Sequence, residues 1–283
     1  MAHLRMAVLA WALTPSLALA QPASPPPSRQ GIETFVDAFA TPTHETGKLA
    51  RWETGICPVM SGQKSNVSAF VAQHLMAVAG AVGAPVNLEK DCTPNIDIVF
   101  TTAPQALLDS VRERNTDYIG YAPGGDELRK LATVTHPIQA WYATETRDLR
   151  GRAHIDTGRD RGDLGQASTA RASGTRLNSG VRSGYHHILI VVDPSKLEGQ
   201  EVVPLSDYIA MLALAQPASL DACLAPPSIL NLLAPGCASR PAHIMENDLA
   251  YLRGLYRMNA DRIRLASQKA DIADQMAQAL GAR

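Results

Sequence analysis

The residue types that could do chemistry gather around one stretch of the chain. His186 and His187 open the apolar run ILIVV, and Ser206, Asp207 and Ala210 follow within LSDYIAMLALA. Imidazoles and carboxylates serve as general bases or metal ligands, and a serine beside a base serves as a nucleophile. Spacing then decides what these residues can do together. A helical zinc centre needs two imidazoles one turn apart on one face, and the positions so related here, 206 and 210, carry serine and alanine. His186 and His187 are adjacent, so on a strand they point to opposite faces and do not share one ion. No G-x-S-x-G elbow, glycine-rich phosphate loop or E-x-x-H pair occurs. The five residues Ser206, Asp207, Ala210, His186 and His187 therefore define a candidate cleft, with no catalytic residue, metal or cofactor assigned. The alternative is a hydrolase in which one of the two histidines acts with Asp193 and a serine.

The cysteines carry a second chemistry. Cys57, Cys92, Cys223 and Cys237 form an even set, and the first twenty residues place that set in an oxidising compartment. MAHLRMAVLAWALTPSLALA has a basic head at Arg5, an apolar run and a small-x-small end at Ala18-Leu19-Ala20, the pattern of a secretory signal peptide. The expected localisation is periplasmic or secreted. The expected pairing is Cys57 with Cys92 and Cys223 with Cys237, each within one segment of the chain. A zinc site made of all four is disfavoured, because no C-x2-C spacing occurs and thiolates do not stay reduced outside the cytosol. Without Arg5, 25 basic residues face 27 acidic ones, which gives nucleic acid no electrostatic hold. No later stretch reads as a membrane span. A peptide, a glycan or another envelope protein remains as partner class.

Elements must position these residues. After a Pro/Ser-rich spacer over 21–30, Phe35, Val36 and Phe39 suggest one short helix, and 48–60 alternates as a strand. Val67, Phe70, Val71, His74, Leu75, Val78 and Val82 recur at three and four, a helix started by Ser65 or Asn66 and ended by Gly83. His74 sits on that apolar stripe and reads as a boundary histidine rather than a ligand. A strand over 92–101, a helix opened by Pro104 and a strand after Pro137 make a mixed α/β beginning, with His136 placed in a turn. Residues 149–182 hold six glycines and seven arginines with little to bury, and read as a mobile surface insertion rather than a basic arm. The run Tyr185–Val192 then suits an interior strand. Pro204 opens the next helix, Cys223 and Cys237 flank a tight loop, and helices follow over 246–258 and from Ser267.

Two resemblances follow from these runs. Ser206-Asp207-Tyr208-Ile209-Ala210-Met211-Leu212-Ala213-Leu214 resembles the H-E-x-x-H-x-L-G-L helix of metzincin and matrixin-type zinc peptidases. Ser206 and Ala210 stand at the histidine positions and Asp207 at the glutamate. Ser228-Ile229-Leu230 resembles the Met-turn, and Glu246-Asn247-Asp248 with Leu255-Tyr256 the closing helix. The chain is also similar, from Lys48 through Tyr256, to a group of uncharacterised exported proteobacterial proteins with R-W-E-T-G-I-C-P, P-Q-A-L-L-D and D-L-A-Y-L-R-G-L-Y runs. The resemblance implies an α+β fold, a mixed sheet with packed helices in a zincin-like metallopeptidase architecture without the metal site. The domain layout expected is a signal peptide over 1–20, a spacer and N-terminal segment over 21–47, and one zincin-like domain over 48–283. Its expected role is non-catalytic binding in the cell envelope, a pseudoenzyme.

Overall fold

The computed structural model describes residues 27–148, 150–157 and 180–282. The leader and most of the glycine- and arginine-rich segment lie outside them. The described chain is a mixed α+β fold with seven α-helices and one open mixed sheet.

The sheet is organised on a single long strand. We number the strands β1 (Ala50–Arg51), β2 (Pro58–Ser61), β3 (Ile96–Phe100), β4 (Ile138–Asp148), β5 (Ala153–Ile155) and β6 (Val181–Val192). β6 pairs in parallel with β1 at Ser183 and Gly184 and with β3 from Ile188 to Val192, and β2 extends the sheet in parallel beyond β3. On its other side β6 is antiparallel to β4, and β4 pairs with β5 only over Glu145–Arg147. The expected single strand over 48–60 is thus two strands, because its ends pair with different partners. The expected insertion over 149–182 also needs correcting at its ends. Ala153–Ile155 is a strand, and Val181 and Arg182 prolong β6, since the ladder to β4 runs out to Asp148.

Two apolar clusters cover the sheet. Alternation along β3 and β6 sends Ile96, Ile98, Ile188, Ile190 and Val192 to one face, and Leu189 and Val191 to the other. The larger cluster lies under α1 (Arg29–Phe39), α2 (Ser65–Val82), α5 (Val202–Leu214), α6 (Glu246–Arg257) and α7 (Leu265–Leu280). The smaller one joins Leu108, Ile119 and Trp141 to β6 beneath α3 (Pro104–Arg114), and α4 (Gly125–Leu131) follows it in the chain.

Local signals explain several helix ends. Ser28 accepts the Gly31 N–H at 3.1 Å and caps α1, so the helix begins inside the expected spacer. Its rings pack inward, with Phe39 and Tyr251 centroids 4.8 Å apart, and the residues assigned above to an N-terminal segment belong to the main core. Gly83, at φ 83°, closes α2 in the left-handed conformation that a residue without Cβ adopts freely. α5 starts at Val202, so Pro204 stands inside the first turn, where its missing N–H leaves no helical bond unmade. α7 likewise begins at Leu265, ahead of the Ser267 start.

Both cysteine pairs are joined as expected, Cys57 to Cys92 and Cys223 to Cys237. The first ties the segment before β2 to the one before β3, and the Cys57 N–H is held by the Asn95 side chain at 2.7 Å. Two disulfides are consistent with an exported protein.

Candidate functional site

The structure disperses the five residues of the sequence-defined cleft. α5 is buried from Ser206 to Leu214, and Ser206 and Ala210 lie fully in the core. The Ser206 hydroxyl donates to the Val202 carbonyl at 2.7 Å, one turn back on its own helix. Asp207 faces α2. It takes His74 Nε2 at 2.5 Å and the Ile244 N–H at 2.9 Å, with His243 Nδ1 at 3.9 Å. His74 is therefore a boundary histidine with a buried carboxylate partner, stacked on Phe70.

The two strand histidines do separate. The β4–β6 register slips between Ala143 and Thr144, leaving His186 as the extra residue of a bulge, half exposed with Nδ1 3.4 Å from Glu145. Burial alone would lift the Glu145 carboxyl; hydrogen bonds from His186 and Arg147 outweigh it and hold it below the usual range. His187 points the other way, its Nε2 3.1 Å from Asp97 and its ring 4.1 Å from that of Tyr118. Asp193 caps a short turn by accepting from the N–H and hydroxyl of Ser195. It is not the orienting partner of either histidine. Among the described residues no three His, Cys, Asp or Glu side chains gather as a metal site requires.

A cavity lies elsewhere. A pocket of about 1110 Å³ opens along β4, between the 41–45 segment, the stretch from Ile119 through α4, and the 216–221 loop. Because β5 covers only Glu145–Arg147, the first half of β4 turns its outer edge to this space. Gln139, Ala140, Trp141, Tyr142 and Thr144 form the floor.

Each wall is anchored to the sheet or to a helix. Thr43 N–H bonds the Lys48 carbonyl at 2.8 Å, and its hydroxyl meets Ser183 of β6 at 3.0 Å, which fixes the 41–45 turn against the sheet. Trp141 Nε1 donates to Leu131 at 2.7 Å and ties the end of α4 to β4. Gly120, at φ 83°, passes so near the Tyr142 carbonyl that a Cβ there would lie 2.2 Å from the oxygen. The Tyr142 hydroxyl donates to Leu212 and Ala215 at the end of α5, and burial pushes its pKa well up. Ala218 N–H bonds Ala38 at 2.8 Å and sets the last wall on α1.

Polar groups converge across these walls. His44 stands 3.7 Å from Glu127, and His136 Nε2 lies 3.0 Å from Asp221. Asp156 closes one end, accepting the Thr144 and Thr146 hydroxyls at 2.6 and 2.8 Å. Burial raises the Asp156 carboxyl; the two threonines pull it back, and the negative fields of Glu45 and Glu145 raise it again. Sequence reading missed this site because its residues come from widely separated segments and share no motif. His136 was legible only as a turn residue, which it also is, since the Gln139 side chain accepts the Thr135 and His136 N–H groups. No family model, curated protein or solved structure matches the chain.

Proposed function

We propose that the protein is an exported, non-catalytic binding domain of zincin-like type, and that it holds its ligand in the pocket along β4. One observation carries the reading: about 1110 Å³ of concave space lined by Tyr121 and other apolar residues together with converging polar groups that include His44, Glu45, His136, Asp156 and Asp221, the setting in which a small molecule or a peptide end is held. The zincin-like element is supported by α5 beside β6, with Asp207 at the position of the peptidase base. That carboxylate is engaged by His74 and the Ile244 N–H rather than aimed at a cleft. The disulfides support export.

A hydrolytic reading has one observation of its own. Thr135 Oγ1 lies 2.8 Å from His136 Nδ1, whose Nε2 reaches Asp221, an order of hydroxyl, imidazole and carboxylate that activates nucleophiles. Against it, Thr135 Oγ1 is also bound to Gln139 at 3.2 Å, within the bonds that close the turn.

A thermal-shift screen of short peptides and oligosaccharides separates the two. The binding reading expects a ligand that raises the melting temperature of the wild-type chain but not of Ala218→Trp, which fills the pocket mouth. Turnover of peptide or ester substrates that disappears in His136→Ala would replace it with the hydrolase.

A further inference from the structure

We propose that the pocket along β4 takes an organic cation, a ligand ending in an ammonium or guanidinium group, and that Glu45 and Asp156 receive it. This rests on the binding-domain reading above and adds the charge of the ligand.

The charges that line the pocket are unequal. Glu45, Glu127, Asp156 and Asp221 face one lysine, Lys130, with His44 beside Glu127 and His136 beside Asp221, so Glu45 and Asp156 are the two without a histidine partner among the described residues. The chain as a whole carries a formal net charge of only -1, so the excess is local. Carboxylates grouped in a concave, partly apolar space focus a negative field that draws cations and repels anions.

Within this field the acceptors at one end have capacity to spare. Asp156 is 8% exposed and receives one hydroxyl on each oxygen, whereas a carboxylate oxygen accepts two hydrogen bonds. Glu45 Oε1 and Thr41 Oγ1 are buried atoms on the adjoining wall, without a hydrogen-bond partner among the described residues. A buried acceptor left unpaired is costly, so the arrangement favours a donor brought from outside. An ammonium brings three N–H groups and a guanidinium five. Burial has also raised Asp156, with Glu45 and Glu145 adding to the shift, and a positive group seated between Asp156 and Glu45 offsets that repulsion. Tyr121 supplies a ring surface of the kind on which cations and their methylene stems rest.

Titration calorimetry on the full mature chain at low salt tests the proposal with four probes of similar length: agmatine, cadaverine, 1,5-pentanediol and glutarate. Agmatine and cadaverine are expected to bind with one site per chain, and the diol and the diacid are not. Glu45→Gln and Asp156→Asn should each weaken agmatine at least tenfold, and Ala218→Trp should abolish it. Glu45→Gln lies at the wall rather than in the core, so it keeps the test open if Asp156→Asn fails to fold. Glutarate binding as well as agmatine, agmatine binding unchanged in Glu45→Gln, or no binding of either cation overturns the cationic assignment. In that event a neutral or acidic ligand from the thermal-shift screen that is lost in Ala218→Trp leaves the binding domain standing. Agmatine binding that persists in Ala218→Trp overturns the pocket itself.

Discussion

Nε2 of His74 on α2 lies 2.5 Å from Oδ1 of Asp207 on α5, which joins the two helices through one charge-bearing bond at the edge of the core. His74→Ala leaves a buried carboxylate with the Ile244 N–H as its remaining close donor. The expected loss is about 2–3 kcal/mol. His74→Gln, which can still donate, should lose clearly less in the same urea titration, and equal losses would show that the ring's packing on Phe70 matters rather than the bond.

Asp248 predicts a slope of stability with pH. Burial lifts its pKa to about 6, against the hydrogen bonds from Ser228, Ile229 and Met245. An unfolded aspartate ionises near 4. Between these values the folded chain holds a proton that the unfolded chain has lost, so stability falls as pH rises from about 4 to about 6. The full loss, on the order of 3 kcal/mol, stands at all higher pH. Urea midpoints of Asp248→Asn should show a flatter profile over that window than the wild-type chain.

The disulfides give an ordered pair of effects. Closing loops of 35 and 14 residues contributes about 3.8 and about 3 kcal/mol by the chain-entropy relation. Replacing Cys57 and Cys92 by serine should therefore lower stability more than replacing Cys223 and Cys237. Peptide mapping without reductant should recover both linkages and no free thiol.

Lys48 is 1% exposed, and its ammonium donates to Val181 at 2.7 Å and Ala260 at 3.2 Å. Burial lowers its pKa. Lys48→Met keeps the stem but leaves two carbonyls without this donor, and about 2–4 kcal/mol should be lost in thermal or urea melts. A neutral outcome would mean that water reaches both oxygens.

Metal analysis of the purified chain after dialysis against a weak chelator should find far less than one equivalent of zinc. Ser206 and Ala210 are enclosed in apolar packing, so the helical face that would hold an ion turns into the core. Retention of one zinc per chain, with chelator-sensitive peptidase activity, would contradict the non-catalytic reading.

What could be read in the sequence was periodic or local. The three-and-four spacing of Val71, Leu75, Val78 and Val82 marks α2, and Gly83 marks its end. The alternation of Ile96, Ile98 and Phe100 marks β3. α4 was illegible, because GDELRKL buries nothing and so shows no apolar stripe. The split between β1 and β2 was illegible too, since it depends on which strand each half meets. The same limit hid the pocket. None of Ser206, Asp207, Ala210, His186 and His187 lines it; Thr41, Asp156 and Asp221 become neighbours of one space only after the sheet has brought the distant segments together.

The place of β6 in the sheet also bears on how the chain is made. β1, β3 and β4 all precede it in sequence and all pair with it. A polypeptide leaves the ribosome from its N-terminus, so half of the described strands wait, each with at least one edge open, until residues 181–192 have been synthesised. Before then the sheet has only its outer fragments, β2 on β3 and the β4–β5 hairpin. Pairings this distant are slow to close and leave strand edges exposed meanwhile. A nascent chain stopped short of Val181 should thus be soft to protease throughout, and release of the last hundred residues should harden all of it at once.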